Sequence, residues 1–593
     1  MSSSARYVIG IDLGTTNSCL AYTEIESGLA PIVLAIPQVS AAGEVQSLPS
    51  LPSFVYLPSP GSVAAKSLDL PWAKNRDFCV GQYALQQGPL QPANVVASSK
   101  SWLCSTSAER LADILPADED AQRRISPVKA ASELLSHLAA AWESQVAKGD
   151  PELALAKQQL ILTIPASFDP VARELTLRAA TEAGLSPTLL EEPQAAFYAW
   201  LADQGDNWRS LVGPGDSVLV VDIGGGTSDF TLISTEDQEG SLGLRRVAVG
   251  DHILLGGDNM DMALAAAVQG KLGKRLNTRQ LASLVHSCRA AKESLLVDSA
   301  PASIKITIPG SGSSLVGGSL SAELSAEETG KLMLDGFLPL CPLAAEVERT
   351  PRSGLRTQGL DYESDPVLSH HLASFLRRSC VQPDGSLKLP AALLFNGGVT
   401  KAPALRRRLV ELLASWGASK IRILAGADPD LAVARGAAWF ACATRGKGVR
   451  IKAGSPRSYY VGIESSRPAI PGFPAPLETV CVLPFGAEEG GSHRIPVKGL
   501  AVLAGEEVQF RFFASPERSS DAPGDRFEDA EGLNELPPLH ATLEHEAAKD
   551  GRAAVIPVSL EVNHTEVGTL QIWACDKASS RRWRLEFDLR GQA

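Results

Sequence analysis

Two stretches of the chain share one rhythm of apolar and polar positions. "VIGIDLGTTNSCLAY" runs from Val8 to Tyr22, and "VLVVDIGGGTSDFTLI" from Val218 to Ile233. Each opens as an apolar strand, breaks at an aspartate and glycine, then resumes as a strand. The aspartates, Asp12 and Asp222, stand about 210 positions apart (222 − 12), which indicates a duplicated unit. Around them, residues 6–445 alternate strand-like and helix-like stretches, an α/β texture. "QQLILTIPASF" predicts a strand. "DPVARELTLRAATEAGL" predicts a helix with Asp169 as N-cap, Pro170 at its first position and Gly184 past its end. "EEPQAAFYAWLA" starts a helix at Pro193. "LASLVHSCRAAKESLL" sets Leu281, Leu284, Val285, Cys288 and Leu295 on one helical face. "AALLFNGGVTKAPALRRRLVELLASWG" reads as strand, glycine turn and helix, and "ADPDLAVARGAAWFACA" as a helix with Asp428 as its cap.

Beyond residue 445 the pattern changes. "TRGKGVRIKAGSPRS" is basic and rich in Gly and Ser, a linker by composition. Alternating segments follow: "EEVQFRFFA", "IPVSLEVN", "GTLQIWACD" and "RWRLEFDLR". In the last, Trp583, Leu585, Phe587 and Leu589 share one face, and Arg584, Glu586, Asp588 and Arg590 the other. The polar stretch "SPERSSDAPGDRFEDAEGLNELPP" predicts a long loop. The domain reading is residues 1–445, a linker at 446–457, and a β-rich domain at 458–593.

Composition narrows the class. At 593 residues the chain exceeds one core. Hydrophobic residues make up 44% and charged residues 21%, ordinary for a globular protein. The net charge of −12 argues against a general affinity for nucleic acid. The nine cysteines form no CxxC pair, which fits reduced thiols and a cytoplasmic setting. No secretory signal is read at "MSSSARYVIG", and no apolar run reaches the roughly 18 residues of a membrane span.

The glycine turns supply candidate chemistry. Glycine lets backbone N–H groups approach an anion, and neighbouring Thr hydroxyls add donors. An aspartate at a strand end can hold Mg²⁺ through its water shell. Asp12, Gly14, Thr15 and Thr16 fit one such grip, and Asp222, Gly224, Gly225, Gly226 and Thr227 a second. Either alone reads equally as a hairpin turn. Two copies facing each other would hold a polyphosphate.

"GIDLGTTNSC", "EEPQAA", "VVDIGGGTSDF", "LGGDNMD", "FNGGVTKAP" and "DPDLAVARGAA", in this order, resemble the 70-kDa heat-shock chaperone family in its bacterial DnaK-like form. The resemblance implies an actin-like ATPase fold of two duplicated lobes followed by a smaller all-β domain. It implies ATP or ADP with Mg²⁺ in a cleft, hydrolysis of ATP, unfolded or partner protein segments as clients, and a J-domain co-chaperone. Asp12 and Asp222 resemble the metal-organising carboxylates. Thr15, Thr16 and Gly224 to Thr227 resemble the phosphate loops, with Thr227 beside the reacting phosphate. Glu192 resembles the carboxylate near the attacking water, Lys292 the lysine that meets the ribose, and Gly397, Gly398 and Asp430 the adenosine pocket. Pro165 and Arg173 resemble a pair that relays nucleotide state. Residue by residue, plainer readings stay open: Glu192 as charge at a helix N-terminus, Lys292 on a solvated face, Asp428 as an N-cap rather than a ligand.

Departures from the family pattern carry expectations of their own. "NVVASSKSWL" keeps Lys100, but the family's catalytic lysine falls on Leu85, with no local cation in its place. Slow hydrolysis is therefore expected. Arg289, Glu293 and Leu296 replace a glutamate, an arginine and a serine of the adenosine pocket. Gly336 to Leu389 reads as a divergent helical connection, with Ser369 to His371 on a solvated face rather than a metal site. The C-terminal region matches the family's substrate-binding β-sandwich loosely, without its usual linker or helical lid. Competing readings are a nucleotide-gated scaffold or co-chaperone with little hydrolysis, and a small-molecule kinase.

Overall fold

The protein is described by a computed structural model. It covers residues 5–587 apart from 106–109, 239–240, 311–318, 349–359, 361, 383, 419, 427, 444–450, 453–454, 456, 465–476, 488–490, 505–506, 516–517, 519, 543–553 and 566–569. Most of the basic linker stretch therefore lies outside the described residues, as do Asp588, Leu589 and Arg590. The chain divides into two compact units: residues 1–167, 176–244 and 249–450, and residues 168–175, 245–248 and 451–593.

In the first unit, two sheets repeat one pairing scheme. The first holds β1 (Tyr7–Leu13), β2 (Asn17–Glu24), β3 (Gln159–Ile164) and β4 (Thr188–Glu191), in the order β4-β3-β1-β2. The second holds β5 (Ser217–Ile223), β6 (Ser228–Gln238), β7 (Ala392–Asn396) and β8 (Arg422–Leu424), in the order β8-β7-β5-β6. In both, the first strand pairs antiparallel with its hairpin partner and parallel with a distant strand, which pairs parallel with the fourth. Asp12 lies opposite Cys19 and Thr163, and Asp222 opposite Asp229 and Asn396. The two aspartates hold equivalent positions. Both inner strands are near-continuous apolar runs because parallel pairing leaves them covered on both faces.

Helices α1 (Ser99–Leu103), α2 (Pro127–Trp142), α3 (Glu192–Gln204), α4 (Gly257–Leu272), α5 (Thr278–Leu295), α6 (Leu368–Ser379) and α7 (Ala432–Cys442) surround these sheets. The interior of α7 is rich in Ala and Gly, and its place against β1 and α3 requires this. A Cβ on Gly10 of β1 would lie 2.3 Å from the Ala434 carbonyl oxygen. One on Gly436 would lie 1.6 Å from the Ala195 carbonyl oxygen of α3. Backbone meets backbone at both points, so a larger residue has nothing to push aside.

Local chemistry also sets the helix starts. The Asp169 carboxylate accepts from the Ala172 N–H at 2.7 Å, and Gly184 follows the helix Pro170–Glu182 with φ +74°, as the pattern predicts. Asp428 behaves otherwise. Helix α7 starts at Ala432, after a turn in which Asp428 accepts from the Asp430 N–H and pairs with Lys401. Ser369 to His371 do not form a solvated face. Ser369 and His371 are buried on α6, His370 bonds the Asp365 carboxylate at 2.8 Å, and His371 bonds the Asp365 carbonyl. Among the described residues no group of His, Cys, Asp and Glu is arranged to hold a metal by direct ligation.

The second unit is antiparallel. It contains β9 (Ser458–Glu464), β10 (Leu477–Leu483), β11 (Glu507–Ser515), β12 (Asn534–Thr542), β13 (Ala554–His564), β14 (Leu570–Asp576) and β15 (Arg582–Phe587). Hydrogen bonding runs in the order β13-β14-β15-β12-β11-β9-β10. Val480 and Val482 from one end share an apolar cluster with Val558, Leu560 and Val562 from the other, so the sheet folds over one core. Strand β12 begins inside the stretch expected to be loop, and Arg526–Phe527 forms a short strand there too. Pairing with β11 overrides the polar, proline-rich composition.

Replacing Gly436 with Ala forces α3 and α7 apart. We expect a loss of about 3 kcal/mol in denaturant unfolding, in the range of overpacked cores. An unchanged midpoint would show that the helices have room to spare.

His137 of α2 generates a pH dependence. Its Nε2 bonds the Pro37 carbonyl at 2.9 Å, and the ring is buried against Trp72. Burial, reinforced by the Arg76 charge, pushes its pKa down to about 3. The folded value lies below the unfolded value of about 6.5, so the unfolded chain binds the extra proton between them. This stability is complete above pH 6.5 and is lost as pH falls towards 3. Between pH 6.5 and 4.5 the wild type should lose about 2 kcal/mol more than His137→Gln. Parallel stability curves would contradict this.

Candidate functional site

The two glycine turns meet. A Cβ on Gly225 would lie 2.1 Å from Thr16 Oγ1, and one on Gly226 3.0 Å from Thr15 Cγ2. Gly14 is required by its own turn, where a Cβ would sit 2.1 Å from the Asn17 carbonyl oxygen. The second turn is seated on the start of α4. The Gly257 N–H donates to the Gly224 carbonyl at 3.0 Å, and the Asp258 N–H to the Gly225 carbonyl at 2.7 Å.

Between the turns opens a cavity of about 450 Å³. Asp12, Gly14, Thr15, Thr16, Glu192, Asp222, Gly224, Gly225, Thr227, Lys292, Gly397, Gly398 and Asp430 all line it. Gly226 does not; it backs onto Thr15 and Ser101. The pattern of motifs thus converges on one place, although its members span more than 400 positions (430 − 12).

At the closed end stand three carboxyls. Thr163 Oγ1 donates to Asp12 at 3.1 Å, and Asn396 Nδ2 donates to Asp222 at 2.6 Å. Glu192, at the start of α3, is paired with Lys100 Nζ from α1. Burial pushes the Asp222 carboxyl up to about 7, with Asp229 and Asp12 adding to it. Burial likewise pushes Glu192 up to about 8, against the opposing charge of Lys100. Asp12 is raised for the same reason. Among the described residues, these three largely enclosed carboxyls share a single lysine, so the cluster has an unmet demand for positive charge.

Along the other wall, Lys292 Nζ lies 2.6 Å from Asp261 and 3.1 Å from the Gly257 carbonyl. Arg289 pairs with both Asp258 and Asp261. Gly397 has φ +79°, and a Cβ there would fall 2.6 Å from Asp222 Oδ1. Leu296, Val297, Val399 and Leu405 give the far end an apolar lining. Asp258 and Asp261 were visible only as part of "LGGDNMD". Asn396 and Val399 likewise were visible only as part of "FNGGVTKAP", and nothing in sequence pattern marks Val297 or Leu405 as part of a site.

The family model for the Hsp70 protein matches residues 71–335, and the motifs on either side of that span line the same cavity. Over that span the chain is similar to the Hsp70 family. Among similar curated proteins is a chaperone protein HscA homolog of Bordetella pertussis, 26% identical over 73% of this chain and 57% of the relative. The HscA homolog of Aliivibrio fischeri (strain MJ11) is 29% identical over 45% of this chain and 38% of its own length. The chaperone protein DnaK of Mycoplasma mycoides is 29% identical over 46% and 36% respectively. The chain thus spans between 36% and 57% of these relatives.

The position to which the sequence reading assigned the resembled family's catalytic lysine is Leu85. Leu85 is half-buried on the short helix Gln82–Gln87 and does not line the cavity. Yet the cleft does hold a cation at its closed end, because Lys100 enters it from α1. Ser98, just before α1, adopts a left-handed backbone (φ 54°), and all five residues of the helix are buried. That costly conformation aims the Lys100 side chain inward.

Proposed function

We propose that the chain is an Hsp70-like molecular chaperone. In this reading the first unit, to about residue 445, is an actin-like module that binds and hydrolyses ATP, retains ADP, and uses Mg²⁺. The β-rich unit, from about residue 458, takes extended segments of unfolded or partner proteins, with a J-domain co-chaperone as a further partner. The chaperone names of the HscA and DnaK relatives support this. The observation that carries it is the convergence of two equivalent Asp-Gly-Thr turns on one cavity. A cytoplasmic setting accords with the absence, among the described residues, of a helix long and apolar enough to cross a membrane.

The residues fit the nucleotide. Asp12 and Asp222 would hold Mg²⁺ through water, and their crowding with Glu192 favours a cation there. When bound, Mg²⁺ offsets phosphate charge. The backbone N–H groups and hydroxyls of Gly14 to Thr16 and Gly224 to Thr227 hold the phosphates. Glu192 orients the attacking water. Lys292 with Asp261 faces the ribose. Gly397, Gly398 and Asp430, with the apolar lining, take adenosine.

Two experiments test this reading. In calorimetric titration with Mg-ADP, Gly225→Val fills the space beside Thr16, and Asp222→Ala removes a metal anchor. Each should weaken binding at least about tenfold. Wild-type affinity in both variants would sink the site. A panel of fluorescent, extended apolar peptides should bind with about micromolar or weaker affinity and fast exchange, and differ between ATP and ADP. Identical binding in both nucleotides, with no suppression of client aggregation, would overturn the chaperone reading.

A further inference from the structure

Helix α5 and the residue that ends it bring Arg289, Lys292, Glu293 and Leu296 to the cavity at helical spacing. Their side chains are not equally engaged. Arg289 is tied to Asp258 and Asp261, and Lys292 to Asp261 and the Gly257 carbonyl. Elsewhere on the lining, Lys401 is tied to Asp428 and Asp430. Glu293 stands apart. Among the described residues no hydrogen bond or ion pair holds its carboxylate. Arg289, four positions earlier, feels that charge but is committed to the two aspartates. The rest of this end is aliphatic: Leu296 and Leu405 are buried, and Val297 and Val399 complete the wall.

Selectivity between bases needs a polar group that one base satisfies and another leaves unpaired. The aliphatic wall supplies none and covers the face of either purine. The uncommitted group is the Glu293 carboxylate, which accepts hydrogen bonds and cannot donate them. The two common purines differ in what they show it. Guanine carries its N1–H and 2-amino group side by side, two donors that meet both oxygens of one carboxylate. Adenine sets its 6-amino group beside a bare N1, whose lone pair a carboxylate repels. Resting on the nucleotide reading above, we propose that the base end of this cavity accepts guanine at least as well as adenine, with Glu293 as the residue that sets the preference. Glu293 is exposed at the rim, so its carboxylate is hydrated until a base covers it. The gain therefore falls at the low end for a bidentate pair. The glycine turns grip the phosphates of either nucleotide alike.

The test is calorimetry on the full chain with Mg-GDP, Mg-ADP and Mg-IDP, whose hypoxanthine keeps N1–H but lacks the 2-amino group. The wild type should bind GDP at least as tightly as ADP, and about fivefold more tightly than IDP, the scale of one hydrogen bond to a carboxylate at an exposed rim. Glu293→Ala should lower the ratio of GDP to ADP affinity about fivefold and bring GDP and IDP within about twofold of each other. The position is an exposed one on a helix, where Ala is well tolerated, and a circular-dichroism melt checks that the variant is folded. A wild type that binds GDP more weakly than ADP overturns the proposal. So does a GDP-to-ADP ratio that Glu293→Ala leaves unchanged, or a wild type that does not distinguish GDP from IDP. Each of these leaves the nucleotide reading standing, because ADP still binds. A wild type that binds none of the three overturns the nucleotide reading and this inference with it.

Discussion

Like charge forced together in a buried place governs this molecule. Asp12 and Asp222 end two inner strands of equivalent topology, and Glu192 opens a helix beside them. Burial makes each carboxylate costly; Asp12 further raises Asp222 and Glu192, and Asp222 raises Glu192. One lysine and a few neutral donors answer them. Backbone N–H groups and hydroxyls of the two glycine turns line the same cavity.

Holding those charges in register demands stiffness behind them. Helix α7 supplies it by lying on β1 at Gly10 and against α3 at Gly436. These contacts are between backbones, so they tolerate little sliding. The same helix brings Val433, and the turn before it Asp430, to the cavity wall. The packing that looks furthest from chemistry therefore fixes the distance between α3, which carries Glu192, and the strand that carries Asp12.

The duplicated rhythm, the strand–turn–helix order and the glycine turns were legible because each rests on local physics. A strand needs a run of apolar residues, a tight turn needs glycine, and Asp169 caps the helix that follows it. Other features were not legible. The Ser-His-His run on α6 is polar in composition but buried, because Asp365 meets both imidazoles. Strand β12 takes its form from β11 despite a loop-like sequence. Asp428 looks like a cap but pairs with Lys401 instead. In each case a partner distant in sequence decided the outcome.

Lys100 marks the same division most sharply. The sequence by itself determined the recurring Asp-Gly-Thr motifs and the two glycine turns, since these depend on residue types and short spacings. Only the tertiary structure decided that Lys100 would stand beside Glu192, 92 positions away. No periodicity encodes that meeting. It follows from the backbone direction at Ser98, the burial of α1 and the placement of α3, all set by packing over the whole first unit. A charge acts by its distance in space, and spacing along the chain carries that distance only where the chain is locally regular.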